Sequence, residues 1–152
     1  MSASLRRDGA TSGRVCREVV FDLIDAGAVR RAVVVRLSWT PTDPYAVAAE
    51  FAASRGPVWW VLSRCLLADG LDGPGPAGVG DVTWALCPDR PDRIRLRLCS
   101  PTGWAVFEAS AYALEDFLLA TWEVVGPGEE SGWLAVPDTP GCLLDGDGGG
   151  RR

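Results

Sequence analysis

SWTPTDPYAVAAEFAASRGPVWWVLSRCLLADGLDGPGPAGVGDVTW, residues 38 to 84, is the stretch on which the fold turns. Pro41 and the Asp43-Pro44 pair interrupt one apolar run and begin the next, because proline fixes φ and drives the residue before it out of the helical region. Tyr45 to Ala52 then alternates, with Val47, Ala49 and Phe51 on one side and Glu50 on the other, the period of a half-buried strand. Ser54 to Pro57 turns the chain, and Val58 to Ser63 is a continuous apolar run of strand length. Ser63 stands at the N-cap of a short helix over Arg64 to Asp69. Gly70 is expected to close that helix in the left-handed conformation, with Leu71 folding back on Leu66. The tract DGPGPAGVG, residues 72 to 80, has too few side chains to pack and reads as a flexible loop.

Outward from this stretch the strand period recurs. Val15 to Ile24 is a strand whose two faces are almost equally apolar, so its buried side is undetermined by pattern. Ala32 to Trp39 places Val33, Val35, Leu37 and Trp39 together, opposite Arg36 and Ser38. Downstream, Asp81 to Cys87 resumes as a strand, and Arg93 to Ser100 alternates Ile94, Leu96 and Leu98 inward with Arg93, Arg95 and Arg97 outward. Pro101 and Gly103 turn the chain into a last strand, Trp104 to Ala109, and Ser110 caps a helix from Ala111 to about Val125. Leu114, Phe117, Leu118 and Thr121 share one side of that helix.

At 152 residues the chain reads as one domain, long enough to bury roughly 70% of its unfolded surface. Residues 1–14 are small and polar and are expected to be disordered. Residues 126–152 form a Gly/Pro/Asp-rich tail in which Trp133, Leu134 and Val136 are the candidates to pack back. There is no His, Lys, Asn or Gln, which removes the commonest general base and metal ligand. Cys16, Cys65, Cys87, Cys99 and Cys142 lie far apart without a C-x-x-C pair, so they read as small buried hydrophobes in a reducing cytoplasm. The carboxylate pairs Asp69/Asp72 and Glu115/Asp116 read as solvated surface, and the glycine-rich loop lacks the G-K-[ST] ending of a phosphate cradle. No catalytic residue, metal site or cofactor is expected.

Several motifs occur together in a fixed order. They are Asp43-Pro44-Tyr45-Ala46-Val47 followed by Phe51, Trp60-Val61 leading to Leu66-Leu67-Ala68-Asp69-Gly70-Leu71, and Gly80-Asp81-Val82. Ser100-Pro101-x-Gly103 and Ala113-Leu114-Glu115-x-Phe117-Leu118 complete the set. In order and spacing this pattern resembles the SsgA-like family of sporulation and cell-division proteins of sporulating actinobacteria, over roughly residues 15–125. The resemblance implies an α+β fold, a whirly-like arrangement of two packed antiparallel sheets with helices, in a single domain that assembles as a homotrimer. It also implies a non-enzymatic role in sporulation-specific division, recruited to septa, with septal division proteins as partners, such as the tubulin-like division protein or a paralogue.

Two surface features carry the candidate sites. Arg93, Arg95 and Arg97 share one strand face with Arg90 just before them, a cationic stripe of the kind that binds single-stranded nucleic acid. Against that reading, residues 15–125 hold 10 arginines and 14 carboxylates, so long-range steering opposes a polyanion and a solvated or salt-bridged face is favoured. Trp59 and Trp60 are adjacent in a strand and so point to opposite faces. Trp60 matches the family's core position, whereas Trp59 and Trp104 stand where the family is more polar. Both are candidates for an association surface, or for burial beneath a second sheet.

Overall fold

Apolar runs, most of them alternating, build seven strands among the described residues: β1 (Val15–Ile24), β2 (Arg30–Trp39), β3 (Ala46–Phe51), β4 (Val58–Ser63), β5 (Val82–Cys87), β6 (Arg90–Ser100) and β7 (Gly103–Ser110). Helix α1 (Arg64–Asp72) follows β4, helix α2 (Ala111–Trp122) follows β7, and a 3-10 turn spans Glu130–Trp133. The computed structural model describes residues 13–133 apart from 26, 28 and 29. The expectations placed on residues 1–12, on Leu134 and Val136, on the rest of the tail and on Cys142 lie outside the described residues.

All seven strands belong to one antiparallel sheet of order β4-β3-β2-β1-β7-β6-β5. This corrects the expectation of two packed, whirly-like sheets. The join is β1, which pairs along its whole length with β2 and, through Asp22, Leu23 and Ile24, with Glu108, Phe107 and Val106 of β7. The sheet curls instead of splitting. Three strand spacings separate β3 from β7, about 14 Å in a flat sheet, yet the rings of Phe51 and Phe107 are 5.0 Å apart and Phe21 meets both edge-on. The curl settles the ambiguous phase of β1: Val15, Val19 and Phe21 face the concave core, where they meet Val35 and Leu37 of β2 and Leu96 and Ile94 of β6.

Both helices fill the concave side. Ser63 Oγ accepts from Leu66 N at 3.0 Å and Ser110 Oγ from Ala113 N at 3.1 Å, the two caps expected from the chain. Gly70 does not end α1. It lies buried within the helix against Trp84, where a Cβ would collide with the Trp84 side chain, and the helix stops instead at Gly73 with φ 54°. Helix α2 ends at Trp122, three residues short of Val125, because the chain turns at Thr121, whose carbonyl accepts from both Val124 N and Val125 N. The glycine-rich tract is tied down as well: Ala77 N and O bond Trp84 O and N at 2.8 and 3.0 Å, adding a bridge to the β5 edge. Trp39, fully buried, donates its indole N–H to Pro44 O at 3.0 Å, so the proline turn serves the core directly.

Candidate functional site

Arginines expected to project into water converge on Glu108, a carboxylate absent from the expected sites. Glu108 of β7 lies opposite Arg95 of β6 on the convex face, with Asp22 of β1 on its other side. Its side chain is only 3% exposed. Arg95 donates through Nη2 and Nε to Oε2 at 2.7 and 3.3 Å, while Arg30 Nη1 and Arg90 Nη2 donate to Oε1 at 2.8 and 2.9 Å. These four bonds occupy the acceptor capacity of the carboxylate. Burial opposes the charge, but the bonds and charges of Arg95 and Arg30 outweigh it and lower the Glu108 carboxyl to about 2. Arg93 pairs with Asp22 at 2.7 Å. These contacts cross the three-residue β1–β7 seam on both sides, from β2 to β7 and from β6 to β1, so the cluster clamps the join between the two halves of the sheet.

Of the expected stripe, then, Arg90, Arg93 and Arg95 are engaged by carboxylates. Arg97 instead lies over the Trp104 ring, 5.7 Å from its centroid. Cys87 is buried beside this cluster, and burial together with the Glu108 charge pushes its thiol up. Cys99 is half-buried, whereas Cys16 and Cys65 are exposed, so among the described cysteines the reading as buried hydrophobes fits Cys87 alone. Among the described residues no group of three or more potential ligands is placed to hold a metal. Asp69, Asp72, Glu115 and Asp116 are all exposed.

A second ion pair is internal. Arg64, 1% exposed at the start of α1, donates to Glu130 Oε2 at 2.7 Å and to Val125 O at 2.9 Å, and its guanidinium lies 5.3 Å from the centroid of the Trp39 ring. Its hydrogen bond holds the Glu130 carboxyl below the usual range despite burial. The packed body therefore extends past Val125 to Glu130.

Trp60 packs against the core and Trp59 does not, as strand alternation requires. Trp59 is 57% exposed and Trp104 65%, both uncovered by any described layer. Trp59 and the exposed Val61 lie on β4, a sheet edge. Trp104 borders a cleft of about 600 Å³ at the open mouth of the curl, walled by Leu23, Val33, Phe51, Trp60, Leu98 and Phe107. No described helix is long and apolar enough to cross a membrane.

The geometry defines a small antiparallel-sheet domain with two helices, in which Arg30, Arg90, Arg93 and Arg95 are spent on joining strands and the open features are a bare edge and an apolar cleft. A family profile described as Streptomyces sporulation and cell division protein, SsgA, matches residues 33–130. The sporulation-specific cell division protein SsgB of Saccharopolyspora erythraea is 48% identical over 129 residues, 84% of this chain and 90% of that protein. SsgB of Salinispora tropica is 40% identical over 133 residues, 85% of this chain and 92% of that protein. A solved structure from work on SsgB mutations and longitudinal cell division during sporulation of Streptomyces coelicolor superposes with TM-score 0.73 at 36% identity, covering 80% of this chain and 95% of that one. The SsgA-like sporulation-specific cell division protein of Thermobifida fusca superposes with TM-score 0.72 at 31% identity, covering 88% and 95%. The chain belongs to the SsgA-like family of sporulation and cell division proteins.

Proposed function

We propose that this protein is a non-enzymatic adaptor of sporulation-specific cell division, acting in the cytoplasm and recruited to septa. There it helps position the tubulin-like division protein, a paralogue or cell-wall enzymes through protein–protein contacts. The observation that carries this reading is the kinship with sporulation-specific cell division proteins over most of the chain. Self-association belongs to the same reading. An edge strand exposing Trp59 and Val61, with no charged residue between Val58 and Ser63, is a surface that pairs with another chain. A symmetric homotrimer would present each weak docking surface in several copies and gain avidity from their multiplicity. Single-stranded nucleic-acid binding is the weaker alternative, because Glu108 and Asp22 already engage three arginines of the stripe.

The test is a fluorescent fusion expressed from its own locus in sporulating hyphae, imaged with membrane and nucleoid stains. Ladders of foci at division sites are expected, and a signal that follows nucleoids would refute the adaptor reading. For the edge, Trp59→Glu is expected to reduce particle mass by light scattering to that of a single chain. An unchanged mass removes β4 as the contact.

A further inference from the structure

We propose that the cleft at the mouth of the curl receives an extended segment of a partner protein. The segment adds as a short strand along β2 and carries one large apolar side chain flanked by acidic residues. This deepens the adaptor reading and rests on it for the biological setting, but the binding chemistry follows from three features of the cleft itself.

The first is an unfinished sheet edge. β2 pairs with β3 only over Val35–Ser38, and the last bond beyond that ladder is Ala52 N to Val34 O at 3.0 Å. Past it the chain leaves β2 through a turn in which Gly56, at φ 114°, donates to Ala53 O at 3.0 Å. Pro57, which follows, has no N–H to offer. Backbone groups along a strand aim at the same neighbour every second residue. Ala32 therefore points its N–H and C=O the way Val34 does, and no described strand faces it. Ala32 is exposed and borders the cleft. A strand added here continues the β2 ladder and satisfies those groups, the arrangement in which main-chain bonds supply affinity and a pocket supplies specificity.

The second feature is the pocket. Leu23, Val33, Phe51, Trp60, Leu98 and Phe107 make apolar walls around about 600 Å³, room for a large side chain projecting from the added strand. The third is charge. Arg31 borders the cleft, and Arg97 lies over the ring of Trp104, a residue of its rim. Neither has a carboxylate partner among the described residues, although Arg30, Arg90, Arg93 and Arg95 all do. An arginine on the rim without a carboxylate partner, and a second behind Trp104 that also lacks one, in a chain of net charge −5, favour an acidic occupant. A second copy of this chain offers the wrong chemistry with its bare edge, since Val58–Ser63 contains no carboxylate.

The experiment selects displayed random dodecapeptides on the immobilised full chain, then measures the enriched peptide by fluorescence anisotropy at low and moderate salt. Expected is enrichment of sequences with an aromatic or aliphatic anchor beside Asp or Glu. Binding of the enriched peptide should weaken at least tenfold when its acids become amides, when alternate peptide amides are N-methylated, and in the double variant Arg31→Glu/Arg97→Glu. Those two side chains are exposed, so the variant keeps its fold, checked by circular dichroism. Failure to enrich, enrichment without acidic residues, or unchanged binding in the double variant overturns the proposal. So does a tenfold gain in affinity on removing residues 134–152, which would make the chain's own C-terminal segment the occupant. Loss of septal foci with peptide binding intact would count against the adaptor reading alone.

Discussion

Replacing Glu108 with Gln removes the one negative charge at the centre of the seam clamp and leaves its shape nearly unchanged. A carboxyl lowered from 4.5 to about 2 corresponds to about 3 kcal/mol favouring the charged, folded form. The arginines that supply this are 45–49% exposed and can turn to water once the charge is gone, so we expect a loss of about 2 kcal/mol at pH 7. The sign with pH follows from the direction of the shift. The folded-state value lies below the unfolded one, so the stabilisation is fully present above about 4.5 and disappears as pH falls toward about 2. Urea unfolding of both chains at pH 7, 5, 4, 3 and 2.5 should show the gap between them closing across that window. Glu130 is also held low and adds its own acid sensitivity to both proteins, so the difference between them isolates Glu108. A variant within about 0.5 kcal/mol of the parent at pH 7, the range of an ordinary surface change, would refute the clamp. A gap that stays constant with pH would do the same.

Gly70→Ala should destabilise although alanine is normally the better helix residue by about 1 kcal/mol, because the new methyl group meets Trp84; a net loss of about 1–3 kcal/mol is expected from overpacking. Thermal unfolding reads the sign, and a raised midpoint would show that α1 can shift away from β5. Arg64→Met strands the Glu130 carboxylate, 11% exposed, and should cost about 3–5 kcal/mol at pH 7. The double variant Arg64→Met/Glu130→Gln should recover at least half of that loss, since no unpaired charge remains. Equal stability of single and double variants would place the cost in packing on Trp39.

Much of the clamp was legible in principle. Ser100 pairs with Gly103, and the same register carries Arg95 to Glu108, so a tight turn at Pro101 and Thr102 already determines that these two side chains face each other. The arginines stand out as a stripe by their alternation, and the single acid on the neighbouring strand, in the same phase, is the signal that pairs them. Arg30 and Asp22 had no such signal, because β2 and β1 reach β7 only through the seam. Arg64 is similar: a lone arginine after a serine cap reads as a solvated first-turn residue, and only the return of the chain at Val125 to Glu130 encloses it.

What the sequence by itself determined are the relations between near neighbours: seven strands, most by their period of two and Val58–Ser63 by its apolar run between turns, both serine caps, the opposite facing of Trp59 and Trp60, and the motif order that marks the family. Those features rest on backbone sterics and hydrogen bonds within a few residues, so they are written where they act. Tertiary structure alone decided that the strands form one sheet, that Gly70 is a contact with Trp84 and not a stop, and that a cleft opens beside Ala32. Each depends on packing residues from distant parts of the chain, above all Asp22–Ile24 against Val106–Glu108. A pairing across that separation is chosen by the burial and charge balance of the whole fold, which no local pattern contains.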